Sequence, residues 1–439
     1  MIRTFVIFLL TFCGTANGSD FRVGPIPDSL RISHSLDGFY QKQCAGSDVP
    51  IVGSAKVSDH AFAEAAWIVR QMLAGRDDIK KAMNESKVRV VIMAATEYTS
   101  DVPEHSFLKT KMFWDRRARG LGATPTVPAV SCGEENLLGY LRDPYPNENI
   151  FVHEFAHAIH GTGMNRVDKT FDGRLKVSFE AAKARGLWKN AYAATNAHEY
   201  WAEGVQCWFD DNAPPDALHN HIRTRVQLME YDAGLAKLCK EVFGEKPWRY
   251  LRPALRSPAD RSHLIGYDPK KMPRFRWKEY PLIDKPIVSV DTSVGEMTFE
   301  LDTKAASEAT QNFLKIALDG AYHSGRFKSA FTDAGDKKTG WIGATAKPKW
   351  VEEYSKELKL DLLPAKPAAP TDGTIALVRS GEVGEFVIFL GKQPAGNANV
   401  VPFGKVTKGM ELVRKIHAGP TVNGVLKEAV DLRRAIRSE

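Results

Sequence analysis

Two histidines four residues apart, with a glutamate after the first, can grip one metal ion when they lie on a helix. His153-Glu154-Phe155-Ala156-His157 has that form. Four residues are just over one helical turn, a rise of about 6 Å, so both imidazoles leave one face and Glu154 points beside them. From there a carboxylate can take a proton from a water on the metal, the general-base step of a zinc hydrolase. A catalytic zinc uses three protein ligands and keeps one position open, so a third ligand must come from elsewhere. His160 and Gly163 stand where the three-histidine pattern needs a glycine and a third histidine, which excludes that pattern. The segment NAHEYWAEG (196–204) instead offers Glu199 and Glu203, four apart on one face. One can bind the ion while the other accepts the free N–H of a ligand histidine. His160, one turn beyond His157, reads as a surface or supporting residue. His198 faces another side of its helix, and His219 and His221 read as a solvated loop after Pro214-Pro215.

These residues need helices to hold them. The motif helix is expected over 144–160, capped by Asn147 or Asn149, with Gly161 and Gly163 past its far end. A second helix is expected over 167–185, stopping at Gly186, and a third from Thr195-Asn196 to Phe209. Upstream, 59–73 has helical apolar spacing, and 87–94 (KVRVVIMA) is a dense strand-forming run. The prolines of TPTVPAV (124–130) exclude a central strand but permit an edge, where an extended peptide can dock by adding a strand. Near 280–290 the character changes from helical to short alternating strands. The boundary is placed between Pro281 and Pro286, giving domains over 19–284 and 285–439. The proline-rich 363–373 reads as a long surface loop.

The chain has 439 residues, 43% of them apolar, enough for two cores. Residues 1–18 have Arg3 ahead of an apolar run and small residues at 16–18, the form of an export signal, which predicts a secreted or periplasmic protein. No later run of about 20 apolar residues could span a membrane. Four cysteines then remain, Cys44, Cys132, Cys207 and Cys239. The pairs Cys44–Cys132 and Cys207–Cys239 are expected, with buried thiols as the alternative. The net charge of +7 is spread over mixed surface rather than gathered in a basic arm, so nucleic acid is not indicated. The expected partner is a peptide or protein substrate, and nothing in the sequence sets an oligomeric state.

Residues 45–285 resemble the metallopeptidase domains of the anthrax-lethal-factor type, HExxH zincins with a glutamate as third ligand. In those domains the HEFxH helix is followed by a helix carrying glutamate, two aromatic residues, alanine and glutamate. His153, Glu154, His157, Glu199 and Glu203 match, and RGLGA (119–123), EENLL (134–138) and CWFD (207–210) extend the likeness. The resemblance implies Zn2+ on His153, His157 and Glu199, with Glu154 as base and Glu203 behind a ligand histidine. It also implies that Tyr192, seven residues before the third ligand, assists the oxyanion or the leaving group. The plainer roles are Glu199 as capping-box partner of Asn196 and Tyr192 as packing.

Residues 289–416 resemble cyclophilins, the β-barrel prolyl isomerases, through TSVGEMTFELD (292–302), NFLKIALDGAYHSGRF (312–327), GTIALVRS (373–380), FVIFLG (386–391) and FGKVTKGMELVRKI (403–416). Where that family has His-Arg after Phe327, this chain has Lys328 and Ser329. The glutamine-bearing segment is reduced to FTDAGD (331–336), Glu385 and Val387 replace the family's Gln and Phe, and no tryptophan follows in the next loop. Arg326 reaches the cation position only through a register shift, and Phe331 survives as a pocket wall. The expected whole is an α+β multidomain protein, a mainly helical zincin-like domain followed by an all-β cyclophilin-like barrel. It is expected to cleave peptides, with the barrel serving binding. The alternatives are a prolyl isomerase with an accessory metal-binding domain and a scaffold with a structural metal.

Overall fold

The structure, a computed structural model, describes residues 21–333, 336–346, 369–379, 381–394 and 399–438. The expected leader and most of the proline-rich 363–373 segment lie outside the described residues.

The first half is built on a six-stranded sheet. Its strands are β1 (Arg22–Pro25), β2 (Lys42–Ala45), β3 (Ile51–Gly53), β4 (Arg89–Met93), β5 (Gly120–Leu121) and β6 (Ala129–Gly133), in the order β1-β2-β3-β4-β6-β5. The central β3, β4 and β6 run parallel. All five residues of β4 are buried, because both faces of the sheet are covered. Val90 and Ile92 enter the larger core with the helices, whereas Val91 and Met93 enter a smaller one with Tyr40 and Val102. The half expected to be mainly helical is therefore layered around a mixed sheet.

The prolines at 124–130 do not mark the sheet edge. β6 begins just after Pro128 and lies inside the sheet, and Pro128 still serves the ladder by accepting from the Arg89 N–H at 3.0 Å. A missing N–H is harmless where only the carbonyl is used. The edge is β5, antiparallel to β6, and its root is fixed by a buried pair. Arg119 donates through Nε to Glu135 Oε1 at 2.6 Å and through Nη2 to Oε2 at 2.9 Å. That pair joins RGLGA to EENLL.

The helix Asp59–Met72 forms close to the expected bounds, and Gly186, at φ +75°, follows the helix Phe171–Ala184. All four described cysteines are free and buried, which overturns the expected disulfides. Cys44 on β2 and Cys132 on β6 are separated by β3 and β4, and Cys207 Sγ lies 3.3 Å from the carbonyl of Ile222.

The second half is a closed antiparallel sheet. Its strands are β7 (Ile287–Thr292), β8 (Gly295–Leu301), β9 (Gly325–Asp333), β10 (Asp336–Thr345), β11 (Thr374–Val378), β12 (Phe386–Leu390), β13 (Val400–Lys408), β14 (Thr421–Val422) and β15 (Val425–Arg437). The order β14-β15-β7-β8-β13-β11-β12-β10-β9 is closed by pairing of β15 with β9. Inward residues alternate along each strand, and Phe299, Phe313, Tyr322, Phe327, Phe386 and Phe403 fill the centre. The expectation of an all-β half is corrected by two helices, Ser307–Leu318 and Met410–His417, which contribute Phe313, Ile316, Val413 and Ile416 to that core.

The two halves meet through polar contacts. Arg116 Nε donates to the Leu318 carbonyl at 2.6 Å, Thr110 Oγ1 to Ser438 O at 2.6 Å, and Arg433 Nη2 to Asn190 O at 3.2 Å. Among the described residues no helix is long and apolar enough to cross a membrane.

Candidate metal centre

The motif helix spans Ile150–Ala158, and of the two expected caps Asn149 is the one used. Its side chain accepts from Phe151 N at 2.9 Å, while its own N–H donates to Asp211 Oδ1 at 2.9 Å. The helix does not end at the glycines. It widens into a π-helical turn over Ile159–Met164 and continues to Val167. Gly163 is needed there for contact, since a Cβ would stand 2.7 Å from Ile79 Cγ2.

A second helix, Ala197–Trp208, is capped by Asn196, which accepts from His198 N at 2.9 Å and Glu199 N at 3.0 Å. The Glu199 side chain does not fold back into a capping box. It reaches across, placing Oε2 3.1 Å from His153 Nε2 and 3.5 Å from His157 Nε2. Ligand atoms of all three residues lie within 4.8 Å of one another. Tetrahedral zinc with bonds of roughly 2.0–2.1 Å spaces its ligands about 3.4 Å apart, so the set fits that ion in spacing and in chemistry.

The support behind His153 differs from the expectation. Glu203 Oε1 is 3.7 Å from His153 Nδ1, too far for a hydrogen bond, and Gln206 Oε1 takes that nitrogen at 2.8 Å. Gln206 is in turn fixed by donating to Glu148 Oε2 at 2.9 Å. Residues 199, 203 and 206 are spaced i, i+4, i+7 and share one helical stripe. Glu203 lies beneath, accepting from Asn212 Nδ2 at 3.0 Å. His219 was expected in a solvated loop, yet its side chain is 9% exposed. Its Nε2 is 3.8 Å from both Glu148 and Glu203, and Nδ1 is 2.9 Å from Asp216. His160 is fully buried rather than superficial. It packs against Phe171, His198 and Trp201 and takes no part in the three-residue cluster.

Burial opposes a charge on His153, but the hydrogen bond it donates to Glu199 and the charges of Glu154, Glu199 and Glu203 outweigh it and raise its pKa to about 10. The surroundings thus favour positive charge at this spot, which a divalent ion would also supply. Burial raises the pKa of Glu154, against the pull of His153 and His157. Burial and the Glu199 charge push Tyr192 up to about 12. Its ring centroid is 6.3 Å from that of His153, and the Arg117 charge acts against the rise.

The edge strand presses directly on these groups. A Cβ at Gly120 would stand 2.9 Å from Glu154 Cγ, and one at Gly122 2.7 Å from His157 Cβ. The site opens into a cavity of about 1470 Å³, walled by the edge strand, Tyr192 and His219 and, from the second half, by Leu318, His323 and Arg434.

Residues 287–436 match the model of the family described as cyclophilin type peptidyl-prolyl cis-trans isomerase. A peptidyl-prolyl cis-trans isomerase of Arabidopsis thaliana is 30% identical over 148 residues, 84% of its length and 31% of this chain. The chain belongs to the cyclophilin family. A second isomerase, from Dictyostelium discoideum, is 28% identical over 145 residues, 87% of its length and 31% of this chain. A solved cyclophilin type isomerase of Cryptosporidium parvum is 18% identical with a TM-score of 0.27, covering 98% of that chain and 35% of this one.

Within the cyclophilin barrel, Phe327 is buried in the core, Lys328 pairs with Glu382 at 3.4 Å, and Ser329 stands where the family resemblance puts arginine. Arg326 is committed to Asp431 at 3.0 Å. Phe331 is 47% exposed and stacks on Trp341 across the β9–β10 ladder at 5.9 Å. Trp341 stands on β10, opposite Phe331, and not in the loop after Gly391. Ala376, Val387, Phe389 and Val400 form an apolar cluster with Trp341, separate from the barrel core.

Proposed function

We propose that the first half is a zinc-dependent peptide hydrolase and that the cyclophilin barrel helps bind its substrate. The observation that carries this reading is the approach of Glu199 to His153 and His157 at 3.1 and 3.5 Å, with buried Glu154 alongside at the cavity wall. His153, His157 and Glu199 would hold the ion, which when bound polarises a carbonyl and acidifies water. Glu154 takes a proton from the attacking water and hands it to the departing amine. Its raised pKa suits a group that must do both. Tyr192 offers its hydroxyl to the oxygen that gains charge. An extended peptide pairs with the edge at Gly120–Leu121, which runs beside Glu154 and His157. The leader-like residues 1–18 support action outside the cytoplasm. Glu154→Gln is expected to keep bound zinc while losing peptidase activity by 10²-fold or more, as removal of a general base does. Full activity in that variant sinks the reading.

Membership of the cyclophilin family favours a second reading, prolyl isomerisation by residues 287–436. Phe331, Trp341 and Val387 supply apolar contacts, but Ser329, with no charge, stands where the arginine fork belongs. Isomerisation of a proline peptide by the full chain should be weak and should rise in Ser329→Arg. Vigorous wild-type turnover would make the isomerase the main function.

A further inference from the structure

Two arginines from different halves of the chain face the cavity beside the candidate metal centre. Arg117 ends the short helix Lys111–Arg117 and acts on the Tyr192 hydroxyl, holding its pKa down against burial. Arg434 projects from β15, with its guanidinium 5.9 Å from the centre of the Tyr192 ring. Both line the cavity that contains His153, Glu154, His157 and Glu199. Among the described residues neither forms an ion pair, although Asp291 on β7 acts on Arg434 from further away. The barrel is seated here by the Arg433–Asn190 bond and by Ala217 N donating to Ser324 Oγ at 3.5 Å, which fixes the root of Arg434.

Like charges brought together in a half-buried wall repel one another, and an anion between them relieves that cost. Burial and the Arg117 charge lower the pKa of Arg434, the signature of this repulsion. Arg117 also acts on Glu154, so its charge is felt at the reacting groups. Guanidinium forks match carboxylates, donating two parallel hydrogen bonds to the pair of oxygens. Tyr192 joins the two places, with its ring 6.3 Å from that of His153 and 5.9 Å from the Arg434 guanidinium. One extended residue spans about 3.5 Å, so a carboxylate on the arginines lies within about four residues of a bond held at His153.

We infer that Arg117 and Arg434 form a carboxylate-binding subsite, completed by the barrel, that selects peptides carrying an anionic group within a few residues of the cleaved bond. The inference rests on the hydrolase reading for the position of that bond. The group is either the α-carboxylate of a peptide C-terminus, which directs cleavage to peptide ends, or an acidic side chain.

Binding to the zinc-loaded full-length Glu154→Gln chain tests it without turnover. Calorimetry would compare a short peptide as free acid with its C-terminal amide, and an amidated peptide bearing an internal Glu with its Gln counterpart. The carboxylate member of at least one pair is expected to bind about tenfold more tightly, the worth of a charge-assisted contact. A free-acid preference identifies the C-terminus as the source, and a Glu preference identifies the side chain. Arg434→Gln should abolish the preference and Arg434→Lys should restore part of it, with thermal melting to confirm folding. Equal binding within both pairs, or a preference that survives Arg434→Gln, overturns the subsite. If the preference holds while the wild-type chain cleaves neither peptide, the hydrolase reading fails and the anion site stands.

Discussion

At the residue scale the centre depends on a neutral side chain. Gln206 holds His153 Nδ1 at 2.8 Å and is itself held by Glu148, so the imidazole presents Nε2 toward Glu199. Support of this kind is worth 10- to 100-fold in metal affinity. Gln206→Ala is expected to weaken zinc binding by that factor in a chelator competition, whereas unchanged affinity would show that His153 needs no such partner. The HEFAH face and the pair Glu199 and Glu203 were legible from helical periodicity, and the choice of Glu199 between them came from the family resemblance. Gln206 was missed, although it shares the stripe of Glu199 and Glu203, because an amide carries no motif signal. His219 was missed because its place depends on a loop returning beneath the helix, which local sequence does not encode.

At the element scale the edge strand controls access. Ser131 on β6 accepts from Leu121 N at 3.1 Å and contacts His105 Nε2 at 2.9 Å, so a buried histidine underlies the edge. Burial drives the His105 pKa down from 6.5 to about 4. The folded state therefore holds a neutral imidazole, while the unfolded chain takes up a proton below pH 6.5. Stability falls as pH drops from about 6.5 toward 4, by about 2 kcal/mol at pH 5. Urea titrations of wild type and His105→Asn at pH 7.5 and 5 should show a loss in the wild type that shrinks in the variant. An equal loss in both contradicts this origin. Helix caps, the β4 run and most barrel strands were legible from local pattern. The π-helical turn was not, since Gly161 and Gly163 read as a helix end until Ile79 is known to pack there. Nor was the true edge, because Pro128 sits where only its carbonyl is used.

At the scale of the whole molecule, a cyclophilin barrel closes one side of a cavity whose opposite wall carries two imidazoles and a glutamate. The apolar alternation of the barrel and its family likeness were visible from residue 289 onward. The seam was not, because polar contacts such as Arg116 to Leu318 leave no apolar patch to find. Whether the first half works as an enzyme turns on the metal, so metal content is the most direct test. Purified wild-type chain, dialysed against zinc and then against buffer, is expected to retain one zinc per chain by elemental analysis. Glu199→Ala should lose it, and Glu203→Ala, whose carboxylate lies beneath the site, should keep it. A wild type without zinc, or zinc lost in Glu203→Ala but kept in Glu199→Ala, would contradict the assignment.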